Sequence, residues 1–433
     1  MLSRRKFLQG LGVAPLAIRG AQVDAAPNRA AGARSIDPSR LLDFDGRPID
    51  LSLYGPEVVD PEPVRAWARA TVRSHLSTLH EPGLPRMGIV RFNWFEVKRG
   101  RQTGQLPGPW IPYDAALQAN GASRARIAPG MLAWTGSVSY HERHLRSLVD
   151  HGFDLIVFQV PYGWRRTQLN HLRALRNLRK EGPIPTLAPM FEAASYRDYG
   201  VPKDFNRQIY RDALFEIISR YFDMHFTFLG PEDLTWRDGR ALIYLWWIPG
   251  ARNAPFGMLG ELNARLRQRF GFEAYWSAHE YWADVRPDTV DRLFNGVRSF
   301  RRDDDGNMTI MPGFFPPNEF SVREGHFLPR NSADTYWDAW DQVINDVRQR
   351  RRAPGEVIVE TANEVGEGTA ITPMIESDRV FSVTGRNEVA CTLNSCRVRG
   401  AEGLADRLST NPLEYLRISR ARKQELLDVA RGL

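Results

Sequence analysis

Hydrophobic and polar positions along this 433-residue chain follow two alternating periods from residue 87 onward. Strand-length apolar runs fall at 87–95, 129–134, 153–160, 186–191, 241–248, 274–277, 295–300 taken with 308–311, and 357–361. Between them, apolar residues recur every three or four positions over 140–150, 168–180, 207–221, 258–270 and 333–350, the spacing of one buried helix face. The sharpest of these, 140–150, has Ser139 available as N-cap, Leu145, Leu148 and Val149 on one side, and Gly152 to end it. Strand–helix alternation of this kind implies right-handed crossovers and a parallel sheet. About eight such strands with no glycine-rich dinucleotide turn predict an α/β fold, a (β/α)8 TIM barrel rather than a doubly wound sheet. No repeat and no linker interrupts 85–376, so one domain is expected over 41–433, with its core at about 87–376 and a C-terminal extension at 377–433.

A barrel gathers its chemistry at the C-terminal ends of its strands, and these ends are aromatic and acidic. Asn93-Trp94-Phe95-Glu96 closes the first run, Trp134 the second, Gln159 with Tyr162 and Trp164 the third, Phe191-Glu192 the fourth and Trp246-Trp247 the fifth. The last run, Val357-Ile358-Val359, leads into Glu360-Thr361-Ala362-Asn363-Glu364-Val365-Gly366-Glu367-Gly368-Thr369. Three carboxylates there lie beside glycines that allow a sharp turn. A carboxylate pair at a strand end is the minimum equipment for glycoside cleavage, one carboxyl protonating the departing oxygen while the other serves as base or nucleophile. Aromatic rings around such a pair suit the apolar faces of sugars. Read locally, the same residues also fit a solvated acidic loop.

Composition narrows the choice. Hydrophobic residues make 42% of the chain and charged residues 25%, as in a globular protein, and twelve Trp within an 11% aromatic content favour aromatic-lined concave sites. The formal charge is +7. Residues 1–25, with Arg4-Arg5-Lys6, a weakly apolar stretch to Ile18 and Val23-Asp24-Ala25 before Ala26, resemble a twin-arginine signal peptide. Removing its four cations and one anion leaves +4, too mild for nucleic acid as a partner. Residues 26–40 read as a flexible leader. No run reaches eighteen apolar residues, so stable membrane insertion is not expected, and the mature protein should be periplasmic or secreted by a bacterium, with the twin-arginine export machinery as a partner. Cys391 and Cys396 fit either a small disulfide loop or a buried reduced pair.

Other chemistry finds little. His141-Glu142-Arg143-His144 lacks the four-residue histidine spacing of a zinc helix and reads as solvated surface. Asp303-Asp304-Asp305-Gly306 lacks the spaced Glu of a calcium loop and reads as a turn. No Gly-x-Ser-x-Gly elbow and no Walker loop occurs, and neither metal nor cofactor is expected.

Residues 363–373, Asn-Glu-Val-Gly-Glu-Gly-Thr-Ala-Ile-Thr-Pro, resemble the Asn-Glu-Trp-x-Glu-Gly-Thr-x-x-x-Pro signature of glycoside hydrolase family 99 and its bacterial polysaccharide-associated relatives. Residues 128–134, 153–157, Met190-Phe191-Glu192, 241–247 and Met311-Pro312-Gly313-Phe314 are similar, in the same order, to other segments of that family, so that about 87–376 are covered. The resemblance implies a (β/α)8 enzyme cleaving α-mannosidic linkages internally with retention, the substrate's own 2-hydroxyl attacking the anomeric carbon. It implies that Glu364 is the base for that hydroxyl, that Glu367 is the acid and later the base, and that Glu192 contacts sugar. Val365 and Gly366 stand where the family has Trp and often His, and Asn93-Trp94-Phe95 replaces its Tyr-x-Trp-Tyr. The expected substrate-binding set is therefore Glu192, Asn363, Trp94, Trp134, Tyr162, Trp164 and Trp247, around a polysaccharide or oligosaccharide. Two classes remain open at this point, an exported glycosidase and a catalytically silent barrel that binds glycans or scaffolds envelope polysaccharide metabolism.

Overall fold

The computed structural model describes residues 61–76, 84–92, 125–127, 138–160, 166–192, 205–246, 254–255, 257–279, 296–298, 308–310, 333–363, 371, 374–376, 379–381, 389–392, 411 and 413–433. Its centre is a parallel sheet of β1 (Arg86–Arg91), β3 (Leu155–Val160), β4 (Thr186–Glu192), β6 (Arg240–Trp246), β7 (Ala274–His279), β8 (Gly296–Arg298), β9 (Met308–Ile310) and β10 (Glu356–Val359). The order across the sheet is β8-β7-β6-β4-β3-β1-β10-β9. This is the cyclic order of a (β/α)8 barrel opened between β8 and β9, and among the described residues no pairing joins those two strands.

Both faces of the sheet are covered, which is why its strands read as nearly unbroken apolar runs. All six residues of β3, Leu-Ile-Val-Phe-Gln-Val, are buried, as are all four of β10. On one face Met87, Ile89, Ile156, Phe158, Leu187, Ile243, Val357 and Val359 belong to the main apolar cluster. They meet helices α2 (Val138–Asp150), α3 (Arg166–Arg179), α4 (Gln208–Phe228), α5 (Met258–Phe270) and α6 (Asp334–Arg350), whose buried residues include Leu145, Leu172, Ile218, Leu262 and Ile344. On the other face the packing is tight enough that β1 needs a glycine. A Cβ on Gly88 would lie 2.5 Å from Ile358 Cδ1 and 3.0 Å from Leu155 Cδ2.

The sheet curls strongly. Strand β5 (Trp236–Arg237) forms a hairpin with β6 through Asp238 and Gly239, both at positive φ (49° and 68°) as a tight two-residue turn requires. From that hairpin the Arg237 guanidinium reaches Glu356, the first residue of β10, at 2.6 Å. Strands β6 and β10 stand four steps apart along the sheet, about 19 Å if it were flat. Only a curved sheet brings their N-terminal ends within one ion pair, and Tyr275 of β7 adds its ring 5.0 Å from the same guanidinium.

Several expectations need correction. β1 pairs directly with β3, Gly88 opposite Leu155, so no second barrel strand from 129–134 fits between them. The eighth strand comes instead from splitting the 295–311 region into β8 and β9. The stretch 128–134 itself lies outside the described residues; just before it, β2 (Ala125–Ile127) pairs antiparallel with β11 (Met374–Glu376). Helix α2 starts at Val138, placing Ser139 inside it, and Val149 is 37% exposed while Leu145 and Leu148 are buried. Gly152 does end that helix, at φ +89°. The core also extends beyond 87–376. Helix α1 (Pro61–Leu76) is tied to α4 by the forked Arg65–Asp223 pair at 2.7 and 2.6 Å. Helix α7 (Glu414–Arg431) buries Tyr415, Leu416 and Leu426 and sends Lys423 to Asp154 at 2.6 Å, just before β3. Cys391 lies in β13 (Val389–Thr392), paired with β12 (Arg379–Phe381), while Cys396 is outside the described residues. No described helix is long and apolar enough to cross a membrane. The segments read as signal peptide and leader, 1–40, also lie outside the described residues.

Candidate active site

The chain leaves β10 through Glu360-Thr361-Ala362-Asn363, and main-chain bonds hold this segment at the C-terminal end of the sheet. Glu360 N–H donates to Ile310 C=O at 2.8 Å, Ala362 N–H donates to Val90 C=O at 2.7 Å, and Thr361 C=O accepts from Ile371 N–H at 3.0 Å. The segment thus sits between the ends of β9 and β1. Asn363 then completes the contact with β1 by its side chain. Phe92 N–H donates to Asn363 Oδ1 at 3.0 Å, and Asn363 Nδ2 donates to Phe92 C=O at 2.9 Å. One carboxamide, fully buried at 0% exposure, therefore imitates a strand partner for the residue that follows β1. Expected among the sugar-facing groups, Asn363 serves the main chain in this structure.

Glu360 is 5% exposed, so one carboxyl group is buried at this strand end. Glu192 ends β4 in register with Trp246 at the end of β6, and Met190 stands opposite Tyr244 one pleat below. Gln159, near the end of β3, is fully buried. Glu364, Glu367, Trp94, Trp134, Tyr162, Trp164 and Trp247 lie outside the described residues. In the sequence, Glu364 is the residue after Asn363, Trp94 the second after Phe92, Tyr162 the second after Val160, and Trp247 the residue after Trp246.

Behind the end of β1, on the helix side of the sheet, lies a polar cluster that includes His141 and His144, expected from their spacing on solvated surface. His141 and His144 of α2 are 0% and 1% exposed, and both turn inward. Arg91, the last residue of β1, has its guanidinium within 2.8 Å of His171 Nδ1 from α3 and 2.7 Å of His141 Nδ1, with His144 Nδ1 at 3.4 Å. A guanidinium only donates, so each facing Nδ1 accepts and each ring carries its proton on Nε2. The His141 and His171 rings stack at 5.3 Å with 9° between their planes. Tyr140 O–H is 3.4 Å from His144 Nδ1. Burial first, and the Arg91 charge second, hold His144 and His171 well below the usual histidine range. Burial pushes the Tyr140 hydroxyl up to about 12. The cluster is thus a neutral cradle round one cation. The signal in the sequence was an arginine closing the run Met87-Gly88-Ile89-Val90, with histidines at i and i+3 on the next helix. Taken alone, their spacing pointed to surface because no metal geometry fitted it. Among the described residues no group of three His, Cys, Asp or Glu side chains could hold a metal ion.

No family model matches the sequence, and no curated protein matches it. Among solved structures, the chain is similar to a family 99 endo-α-mannosidase from Bacteroides thetaiotaomicron in complex with bis-tris-propane, at 13% identity and a TM-score of 0.48. That likeness covers 80% of this chain and 99% of the other. It is also similar to a second structure of the endo-α-mannosidase from that organism, at 13% identity and a TM-score of 0.47, covering 79% of this chain and 98% of the other.

Proposed function

We propose that the chain is an exported retaining glycoside hydrolase acting on a polysaccharide or related glycan, with Glu364 and Glu367 as its reacting carboxylates. The observation that carries this reading is the anchoring of 360–363. A strand-end segment is bound to both neighbouring strands and clamped by Asn363 on Phe92, and the resemblance of 363–373 to the family 99 signature gives the very next residue a chemical role. The reading takes the sheet as closed between β8 and β9, so that the strand ends share one mouth.

In this reading Glu364 takes the proton of the substrate 2-hydroxyl as that oxygen attacks the anomeric carbon. Glu367 gives a proton to the departing glycosidic oxygen. Water then opens the resulting anhydro sugar from the opposite side, giving its proton to Glu367 while Glu364 returns a proton to the departing 2-oxygen, and two inversions give net retention. Glu192 and the aromatic residues Trp94, Trp134, Tyr162, Trp164 and Trp247 supply hydrogen bonding and stacking for neighbouring sugars. Pairing of β2 with β11 supports the inclusion of Trp134, because the stretch leading to it leaves from beside the stretch that follows Glu367.

The test is a screen of residues 26–433 against defined bacterial, fungal and plant polysaccharides, read by product mass. Cleavage that disappears in Glu364→Gln and Glu367→Gln while binding persists supports the reading. Retained binding with no cleavage by the wild type leaves the glycan-binding barrel in its place. Export by the twin-arginine route has its own check: replacing Arg4 and Arg5 with Lys should trap the precursor in the cytoplasm, and unchanged processing refutes that route.

A further inference from the structure

We propose that Arg91 is a positioning residue for the candidate active site, its guanidinium held by His141, His144 and His171 so that the end of β1 is fixed and, through Phe92 and Asn363, the segment entering Glu364. The inference rests on the proposed function for its catalytic consequence, and on geometry alone for the mechanical link. That link is short. Arg91 immediately precedes Phe92, both main-chain polar groups of Phe92 are bonded to Asn363, and Glu364 follows Asn363.

Ordinary core packing would not place an arginine here. The neighbouring outward positions of β1 are Met87 and Ile89, and a third apolar residue would satisfy the same helix face. Arg91 instead forms directional contacts to two helices at once, His141 and His144 on α2 and His171 on α3. An apolar side chain can slide or rotate among neighbours. A planar fork facing three ring nitrogens sets both the height and the twist of the residue that bears it. The strand end is where twist matters most, because beyond Arg91 the ladder partner of β1 is a side chain and no longer a strand.

The cradle works only when its rings can accept. A proton on any Nδ1 would turn an acceptor into a donor facing the guanidinium and place two like charges together in a dry interior. The described titratable groups around Arg91 are Tyr140, His141 and His144 from α2 and His171 from α3, with Arg143 adding positive potential at Tyr140. Phe158 of β3 closes the cluster with an apolar ring 4.6 Å from that of His171.

Amide hydrogen exchange and kinetics on the mature chain, residues 26–433, test the two halves separately. His171→Leu removes an acceptor, whereas His171→Asn restores one where Nδ1 stood. Arg91→Lys keeps the charge and loses the fork. His171→Leu and Arg91→Lys should raise exchange at the Phe92 and Ala362 amides by roughly tenfold or more relative to Met87 and Ile358, and His171→Asn should restore protection. Exchange that rises evenly over the whole sheet, or equally for Leu and Asn at 171, overturns the link. For catalysis, with an activated aryl α-mannobioside as probe, Arg91→Lys should lower kcat by roughly tenfold with KM nearly unchanged. An unaltered kcat despite lost protection overturns the catalytic consequence. No turnover by the wild type together with the local exchange pattern refutes the mannosidase reading and leaves the mechanical link standing. If Arg91→Lys does not fold, the His171 pair decides the question alone.

Discussion

Two main-chain groups depend on the Asn363 carboxamide, and each atom of it has a different job. Asn363→Asp keeps the acceptor for Phe92 N–H but faces Phe92 C=O with a second oxygen, so it should cost at least as much as Asn363→Ala. A loss of about 1–3 kcal/mol for each variant is expected from buried groups left without partners, read as a shift of the urea midpoint at constant slope. The histidine cradle makes a pH prediction whose sign follows from the shifts. His144 and His171 titrate lower in the folded chain than in the unfolded one, so the unfolded state binds more protons below about pH 6.5. The stability they confer is complete above that pH and is lost as pH falls. The stability slope should approach about 1.4 kcal/mol per pH unit for each histidine. Thermal unfolding from pH 7.5 to 4.5 should therefore show a steep acid limb that His171→Asn flattens. An identical limb in that variant would assign it to other groups. Periodicity made none of this legible, because neither the inward turn of His141 nor the two-sided use of Asn363 leaves a periodic trace, and the one available signal was the arginine that closes β1.

Among the elements, the regular strands and helices were readable and their neighbours were not. Strands β3, β4, β6 and β10 announced themselves because burial on both faces demands continuous apolar runs, and α5 and α6 fall almost where their periodicity placed them. The run at 129–134 misled for the same reason. Apolar character alone does not establish sheet membership, and the direct β1–β3 pairing leaves that run no place between those two strands. Helices α1 and α7 escaped notice because their contacts are made partly through charged residues, Arg65 to Asp223 and Lys423 to Asp154. The inner packing of β1 gives a sharp test. Gly88→Ala should lose about 1–3 kcal/mol by overpacking against Ile358 Cδ1. Adding Ile358→Val removes that methyl and should recover part of the loss in a double-mutant cycle. Strict additivity would locate the strain at Leu155 instead.

For the molecule as a whole, the Arg237–Glu356 pair and the cyclic strand order belong to one geometry, a sheet curled until the N-terminal ends of β6 and β10 come within one ion pair, and in the proposed reading its C-terminal ends share one mouth. Burial works against the Arg237 charge, but Glu356 and the adjoining tyrosines outweigh it and raise its pKa, so the floor of the curl is ionic. Glu356→Ala should cost about 3–5 kcal/mol by stranding that charge, measured by denaturant unfolding, and should leave the chemistry at the opposite end unaltered in the surviving folded fraction. This separation of floor from mouth lets the carboxylates be tested on their own. If Glu367 is the proton donor, Glu367→Gln should cripple cleavage of a natural linkage, whose alkoxide is a poor leaving group, and largely spare an activated aryl glycoside that needs little protonation. Glu364→Gln should damage both alike, since attack by the 2-hydroxyl is required whatever departs. The first product should carry the retained configuration by NMR, and 2-deoxy or 2-O-methyl substrates should not react. An inverted product, or efficient cleavage of a 2-O-methyl substrate, would overturn participation by the hydroxyl. It would move attention to a direct two-carboxylate scheme, for which Glu360, buried at the end of β10, and Glu192, at the end of β4, are the residues to replace next.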